Sequence, residues 1–371
     1  MKPFKLGEVI QAQRKLRGMT QSQLASEMGI SKSSVSKWET GQTYPDIYLL
    51  PELATYFSLT IDELLGYTPQ LSREAIRNHY QRLSKAFVDE PFPVVMAECR
   101  SLIKKYYACL PFLLQMAVLL ANHTNLAKKD EQIGILQEAI ELTRRVKAEA
   151  TDSPMIHQAN SFEAACQMFL GNPQEVLMLL GEEVKPYLGN EQLMANAYKM
   201  LGQVGKSHEI LQVSLYQQLM GLVSASGKLL ESQVVDHFQF DQTVRRVIGI
   251  SKLYDLSNLH PFLYVTFLLE CFTGYTQQKR LTLALESLSE MIQVLETISY
   301  PATLHGDRYF DSLDDWIEDQ LELSSMMPRN EQLVKESLSG YFKENPLIQE
   351  VYQTSSEFKN LLAKLGQVLG V

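Results

Sequence analysis

Four consecutive polar residues, Ser31, Lys32, Ser33 and Ser34, open a predicted helix, and Lys37 follows about one turn later. Lysine amines are hydrogen-bond donors, and serine hydroxyls both donate and accept. An α-helix fits the major groove of DNA, where lysine pairs with guanine O6 and N7 and serine pairs with several bases. Lys32, Ser33, Ser34 and Lys37 are therefore predicted to contact base edges, and their types specify no target sequence.

Two helix N-termini accompany these side chains. Gln21 and Ser31 stand where successive predicted helices begin, and free N–H groups and the helix dipole favour a phosphate there. Apolar residues around them are spaced so that the two helices share one small core: Met19, Leu24, Ala25, Met28, Ile30, Val35 and Trp38. We therefore expect the second helix to enter the major groove while the first crosses the phosphate backbone.

Turn and cap signals divide residues 6–67 into five short predicted helices. Gly18, Gly29 and Gly41 end the first three, because glycine readily adopts the left-handed conformation of a tight turn. The predicted N-caps of the second to fifth helices are Thr20, Ser31, Asp46 and Thr60, and Thr60–Glu63 fits the S/T-x-x-E capping box. Pro69 disfavours helix in the preceding residue. We predict a first domain over residues 1–68 and a second over 69–371.

The first unit resembles the XRE family, the Cro/CI-like repressor helix-turn-helix domains, over residues 6–67. The matching segments are Thr20–Ala25, Ile30–Gly41 and Pro45–Gly66. The resemblance implies sequence-specific DNA binding by the second helix of the motif. The competing interpretation is a five-helix bundle that keeps the shape of this domain and serves as a protein-binding adaptor.

The resemblance also assigns a structural role to two charged residues. Arg14 and Glu39 occupy the positions where the family pairs an arginine of the first helix with a glutamate of the recognition helix. We interpret this ion pair as scaffold, not as a base contact. Gln13 departs from the apolar residue usual in the family, and Leu16 stands nearby in its place, which leaves the packing of the first helix open.

Composition and charge narrow the class of protein. The chain has 371 residues, 45% of them hydrophobic and 21% charged, which predicts about two domains that fold throughout. Its net charge of −9 argues against indiscriminate coating of nucleic acid. Residues 1–45 carry seven lysines and arginines against three acids, a local charge of +4 that leaves −13 for the remainder. One end is basic and the body is acidic.

No segment predicts export or membrane insertion. The longest apolar stretches, Pro111–Ala121 and Pro261–Phe272, are too short to span a bilayer, and the N-terminus has no signal core. We expect a soluble cytoplasmic protein. The four cysteines are scattered without a C-x-x-C pair, which favours buried thiols over disulfides or a zinc site.

Beyond Ser72 nearly every segment has helical periodicity. Gly171–Leu177 aligns with Gly205–Leu211 at an offset of 34 residues, which is the tetratricopeptide period. We predict an all-α protein whose N-terminal helix-turn-helix domain is followed by an α-solenoid of tetratricopeptide-like hairpins. Two unrelated hairpins with similar turns are the alternative explanation of the alignment.

Catalytic and metal-binding motifs are weak in this sequence. Gly221–Leu229 looks superficially like a phosphate loop, but its glycine spacing is wrong and Leu229 replaces the magnesium-binding residue, so we interpret it as a helix end or turn. The acidic residues of 307–322 recur at helical spacing, which favours a solvated helix face over a metal site. We expect no enzyme activity, cofactor or metal.

The combined architecture resembles the RRNPP-type regulators, whose helical repeats bind short signalling peptides and dimerise. Asparagines hold the peptide in such proteins, and the chain has four on predicted helices: Asn122, Asn125, Asn160 and Asn196. Each is equally consistent with a cap or a surface residue. We predict a homodimeric, peptide-sensing regulator of the quorum-sensing type that binds double-stranded operator DNA, with no effector residue assigned. The alternative is a scaffold or antitoxin-like regulator whose body binds a protein partner.

Overall fold

The computed structural model describes residues 5–67, 70–353 and 355–370. Within these ranges the chain forms twenty-one α-helices, and the only β-type pairing is an isolated bridge between Thr303 and Met326. The predicted all-α class, with a five-helix N-terminal unit followed by helical hairpins, is confirmed. Thr68 and Pro69, at the predicted boundary between residues 1–68 and 69–371, lie outside the described residues, so that boundary stays a prediction.

Five short helices form the N-terminal unit. They are α1 (Leu6–Leu16), α2 (Gln21–Glu27), α3 (Lys32–Glu39), α4 (Leu49–Phe57) and α5 (Ile61–Leu65). Thr20, Ser31 and Thr60 cap α2, α3 and α5 as predicted, and Thr60 forms its capping box with Glu63. The predicted Asp46 cap was wrong: the Tyr48 N–H donates to Asp46 Oδ1 at 3.0 Å within a turn, and α4 begins only at Leu49.

Apolar side chains from all five helices meet in one core. The buried members are Leu6, Ile10, Leu24, Ala25, Val35, Trp38, Leu53, Ala54, Phe57 and Leu64. Met19, Met28 and Ile30, which were also predicted for this core, are partly buried against it. The core holds α3 by Val35 and Trp38, and this leaves the opposite side of the helix to solvent.

Sixteen further α-helices form the body. The first six are α6 (Arg73–Asp89), α7 (Phe92–Lys105), α8 (Leu110–His123), α9 (Lys129–Glu149), α10 (Ser153–Phe169) and α11 (Pro173–Leu180). The others are α12 (Asn190–Met200), α13 (Val204–Gln233), α14 (His237–Leu253), α15 (Leu256–Leu259), α16 (Pro261–Gln277), α17 (Leu281–Thr297), α18 (Leu313–Gln320), α19 (Glu331–Glu344), α20 (Pro346–Tyr352) and α21 (Ser356–Leu369).

The body has two hydrophobic clusters. One joins buried residues of α6 to α10, and the other joins buried residues of α13 to α21. All four cysteines are free and buried, with Cys99, Cys109 and Cys166 in the first cluster and Cys271 in the second. No helix in the described ranges has both the length and the apolar character needed to cross a bilayer.

Three hairpins of the body share one turn geometry. Gly171 joins α10 to α11, Gly202 joins α12 to α13 and Lys279 joins α16 to α17, with φ angles of 74°, 76° and 60°. The N–H of each of these three residues donates to the carbonyl three positions before it. The N–H of the residue that follows donates to the carbonyl five positions before that residue. These paired bonds satisfy carbonyls at the helix end and turn the chain back on itself.

The turn geometry corrects the predicted repeat alignment. Gly205 lies within the first turn of α13, so the structural equivalent of Gly171 is Gly202, 31 residues later. The shared Gly, Glu and Leu residues that suggested an offset of 34 belong to different positions of their helices. The hairpin repeat is present, and the register proposed from the sequence was wrong.

Two other segments differ from expectation. Gly221–Leu229, interpreted as a helix end or turn, lies wholly inside the 30-residue helix α13. The acidic stretch 307–322, predicted as a solvated helix face, is helical only over α18. Its carboxylates are not all free in solvent, because Glu318 forms an ion pair with Arg77 of α6.

The first body helix is tied to a distant part of the chain. Arg77 Nε donates to the Glu322 carbonyl at 3.0 Å, and its Nη2 donates to the carbonyls of Glu318 at 2.6 Å and Leu321 at 3.0 Å. One turn later, Tyr80 donates to the Pro328 carbonyl at 2.8 Å. These bonds bring α6 against residues 318–328, so the helical body closes on itself.

Candidate nucleic-acid interface

A cluster of serine hydroxyls forms the N-terminus of α3. Ser31 Oγ accepts from the Ser34 N–H at 3.1 Å and lies 2.8 Å from both Ser33 Oγ and Ser34 Oγ. Ser31 and Ser33 are exposed, and Ser34 is half-buried. The cap therefore fixes the start of the helix and presents hydroxyl groups to solvent beside free N–H groups.

Two lysines extend this polar face. Lys32 and Lys37 are exposed, whereas Val35 and Trp38 between and beyond them are buried. Within residues 5–67, neither lysine lies within ion-pair distance of a carboxylate. Their charges are therefore available to a phosphate or a guanine.

A buried ion pair orients α3 against α1. Arg14 donates through Nε to Glu39 Oε1 at 2.6 Å and through Nη2 to Glu39 Oε2 at 2.9 Å, and its Nη1 donates to the Met19 carbonyl at 2.6 Å. The Glu39 side chain is only 1% exposed. Burial opposes ionisation of Glu39, but the hydrogen bonds from Arg14 and Gln21 outweigh it and lower the pKa of this carboxyl.

The structure places Gln21 differently from its predicted role in one respect. Its side-chain Nε2 donates to Glu39 Oε2 at 2.9 Å, so the amide belongs to the ion-pair network. Its backbone N–H, at the first position of α2, has no acceptor within the helix and remains available to a phosphate.

Leu6 and Ile10 pack α1 into the core, and at the end of this helix Arg17, not Leu16, makes the contact with α4. Leu16 is 80% exposed and does not replace an apolar residue at position 13. Arg17 instead donates to Gln13 Oε1 at 2.7 Å and to the Phe57 carbonyl, and its guanidinium lies 5.1 Å from the centre of the Phe57 ring. Gln13 and Arg17 thus join α1 to α4 by polar and cation–π contacts.

Comparison with known proteins agrees with this geometry. The helix-turn-helix family model matches residues 10–64. This unit is a helix-turn-helix domain. The HTH-type transcriptional activator BcrR of Enterococcus faecalis is 41% identical over 63 residues, which make up 17% of this chain and 31% of BcrR. RstR, the cryptic phage CTXphi transcriptional repressor from Vibrio cholerae, is 40% identical over 63 residues, 17% of this chain and 56% of RstR.

The chain spans about a third and just over half of the lengths of these two relatives. Two solved structures align over more of the chain. The apo form of the competence regulator ComR from Streptococcus vestibularis has a TM-score of 0.25 and 12% identity over 80% of this chain and 93% of its own. Apo ComR from S. thermophilus has a TM-score of 0.22 and 12% identity over 78% and 92%. The match of the family model over residues 10–64 confirms the resemblance of the first domain to XRE-type helix-turn-helix domains.

The helix-turn-helix domain also exposes large side chains outside the predicted DNA contacts. Tyr44, Ile47 and Tyr48 are exposed in the loop after α3, beside buried Pro45. The Gln42 N–H donates to the Lys37 carbonyl at 2.9 Å, which anchors the start of this loop to the end of α3. In the sequence, these three large side chains fit the apolar periodicity of neither α3 nor α4, and this could have marked them as exposed. Tyrosine hydroxyls are common donors to phosphates, so this loop extends the candidate interface.

Close packing of α1 on α3 gives a direct test of how the helix-turn-helix domain is built. A Cβ atom at Gly7 would overlap the Trp38 carbonyl oxygen, and backbone cannot rotate away as a side chain can. We expect Gly7→Ala to lower the free energy of unfolding of this domain by about 1–3 kcal/mol, measured by chemical denaturation. Gly134→Ala is the matched control because Gly134 lies in helix α9 with open space around it, and there alanine should stabilise by about 0.5–1 kcal/mol. Equal effects at the two sites would contradict the close approach.

The four asparagines singled out in the body have different surroundings. Asn160 donates to the Leu179 carbonyl at 2.6 Å and accepts from Lys147, so it joins α9, α10 and α11. Asn196 is exposed on α12. Asn122 donates to the Tyr80 hydroxyl at 3.4 Å, and Asn125 accepts from Arg329 at 3.4 Å. Only the last two lie near the region where α6 meets residues 318–328.

Proposed function

We propose that this protein is a homodimeric, cytoplasmic transcriptional regulator. In this proposal α3 of the helix-turn-helix domain binds the major groove of an operator, and the helical body senses an effector, most simply a short signalling peptide. The observation that carries the DNA-binding part is the exposed N-terminal face of α3, where Lys32 and Lys37 have no acidic partner and hydroxyls surround Ser31.

The relatives support regulation without fixing its direction. BcrR is described as an activator and RstR as a repressor, and each matches this chain over 63 residues. The proposal therefore covers DNA binding by the motif and leaves the sign of regulation to the body. Within the motif, Lys32, Ser33, Ser34 and Lys37 are the proposed base contacts, and the N–H groups at Gln21 and Ser31 are the proposed phosphate contacts.

Two features support dimerisation. A single helix-turn-helix domain makes few contacts, and a second copy raises affinity by binding an adjacent half-site. The segment 168–204 is unusually apolar on its surface: helix α11 has no buried residue, Met178 is 79% exposed and Met200 is 89% exposed. Apolar surface of this extent is typical of a protein–protein contact. A different protein as its partner is the scaffold alternative.

Selection from a random double-stranded DNA pool with the full chain tests DNA recognition and dimerisation. We expect recovered sequences to contain two inverted half-sites whose centres are about one or a few helical turns apart, because two-fold symmetry of the protein imposes two-fold symmetry on its operator. The double variant Met178→Ser/Met200→Ser should recover single half-sites, since it removes apolar contacts between copies. Recovery of no enriched sequence by the wild-type chain would contradict DNA recognition. Single half-sites with the wild type would contradict dimerisation and favour another partner for segment 168–204.

A further inference from the structure

Two neighbouring cavities lie where the body closes on itself. Their volumes are about 350 and 480 Å³, which suits small ligands or short peptide segments. Five residues line both cavities: Phe262, Tyr300, Met327, Arg329 and Val334. The first cavity reaches Tyr80 and Lys85 of α6, and the second extends between α16 and α19.

Arg329 is the charged residue among the five that line both cavities, and its hydrogen bonding is incomplete. Its Nη2 donates to Asn125 Oδ1 at 3.4 Å and to Ser337 Oγ at 3.2 Å, which are long bonds to neutral acceptors. Its Nε is buried and has no acceptor. Within the described residues, no carboxylate lies within ion-pair distance of Arg329. Burial lowers the pKa of its guanidinium, as expected for a positive charge removed from water without a counter-ion.

Lys335, a second cation in the same region, has the counter-ion that Arg329 lacks. Lys335 Nζ lies 2.6 Å from Glu331 Oε1 and 4.1 Å from the centre of the Tyr300 ring. Its charge is therefore balanced within the protein. Glu331 also lines the smaller cavity, but it lies beyond ion-pair distance of Arg329. An unpaired buried charge is costly, whereas a guanidinium facing a carboxylate gains two parallel charge-assisted hydrogen bonds. Arg329 presents the donors of its guanidinium to the two cavities, and none of the described carboxylates lies within ion-pair distance of it.

The remaining walls select the rest of the ligand. Val265, Leu269, Leu295 and Leu338 line the larger cavity, and the aromatic rings of Phe262 and Tyr300 line its junction with the smaller one. These surfaces suit an apolar chain. We propose that Arg329 binds the carboxylate of an apolar ligand whose chain occupies the cavity between α16 and α19. A short apolar peptide with a free C-terminus and a medium-chain fatty acid both present this chemistry.

This inference rests on the proposed effector-sensing role of the body, and it is tested without DNA. The full chain is titrated with two pairs of probes in calorimetry and thermal-shift measurements. One pair is a pool of N-acetylated apolar tripeptides with free C-termini and the same pool amidated. The other is decanoic acid and its methyl ester. The free acid of at least one pair is expected to bind about ten- to a hundredfold tighter than its capped counterpart, because only the acid forms charge-assisted bonds.

Variants assign the effect to Arg329. Arg329→Gln should abolish the preference for the free acid, and Arg329→Lys should keep part of it because the charge remains without the planar fork. Arg246→Gln is the control: Arg246 is exposed on α14, lines neither cavity, and its loss removes the same charge from the chain. Without ligand, Arg329→Gln should have a Tm equal to or above that of the wild type, because it removes a half-buried charge that has no counter-ion among the described residues.

Each result decides the proposal. A preference confined to the peptide pool identifies a peptide C-terminus, one confined to decanoic acid identifies a lipid, and either supports the site. Equal binding of free and capped probes at millimolar concentration, or an unchanged preference in Arg329→Gln, overturns it. A large fall in the unliganded Tm of Arg329→Gln also overturns it, since that result assigns Arg329 a structural role. Successful DNA selection together with failed ligand binding removes this inference alone, and failure of both removes the proposed function as well.

Discussion

Replacement of Lys32, Ser33 and Lys37 by alanine together is expected to abolish sequence-specific protection of the selected operator in footprinting. Each base contact is worth about 1–3 kcal/mol, so loss of three should weaken specific binding by about a thousandfold or more. All three side chains are exposed and none contributes to the core of the domain. Helicity and Tm should therefore stay close to those of the wild type.

The control for this variant removes the same positive charge elsewhere. Lys343 and Lys359 are exposed on α19 and α21, outside segment 168–204, and belong to no ion pair among the described residues. Lys343→Ala/Lys359→Ala should bind the operator as the wild type does. Unchanged protection by the triple variant would sink the assignment of α3 as the reading helix, and equal loss in the control would reduce the effect to overall charge.

Arg14→Met is expected to produce the largest loss of stability in the helix-turn-helix domain. It leaves the almost fully buried Glu39 carboxylate without its cation, and breaking a buried pair in this way costs about 3–5 kcal/mol. The midpoint of denaturation can be followed by Trp38 fluorescence in the full chain with Trp316→Phe as background, because Trp38 lies in the core of this domain. Lys15→Met is the control, since Lys15 is exposed on the same helix. A similar shift for both variants would contradict the role of the ion pair.

The same pair predicts a pH dependence. The pKa of Glu39 is lowered from its ordinary value of 4.5 in the folded protein, so the folded state holds its proton less tightly than the unfolded state. The stabilisation it contributes is therefore fully present above pH 4.5 and is lost as the pH falls through the lower folded-state pKa. The difference in stability between wild type and Arg14→Met should shrink over that range. A difference that is constant from pH 7 to the acid limit of folding would count against the ion pair.

The sequence predicted local structure well because local structure depends on neighbouring residues. Thr20, Ser31 and Thr60 cap helices as expected, since each needs only a backbone N–H three residues later. Asp46 failed because its carboxylate closes a turn with Tyr48, an equally local alternative that the cap rule does not distinguish.

Features that depend on distant contacts were not predictable in the same way. The orientation of Gln21 follows from Glu39, eighteen residues away, and Arg17 contacts Phe57, forty residues away. Arg329 belongs to no motif. Its significance arises only because α6, α16 and α19 surround it, and neither periodicity nor spacing along the chain records which cations lack a counter-ion.

The buried cysteines make it possible to measure how often the body opens. Burial raises the pKa of Cys99 to about 12 and that of Cys166 to about 11, so both thiols stay protonated and covered while the body is closed. A thiol reagent then reacts only during transient openings, and its rate measures their frequency. Modification of Cys99 and Cys166 reports opening of the cluster formed by α6 to α10, and modification of Cys271 reports opening of the cluster formed by α13 to α21. The helix-turn-helix domain has no cysteine and contributes no signal.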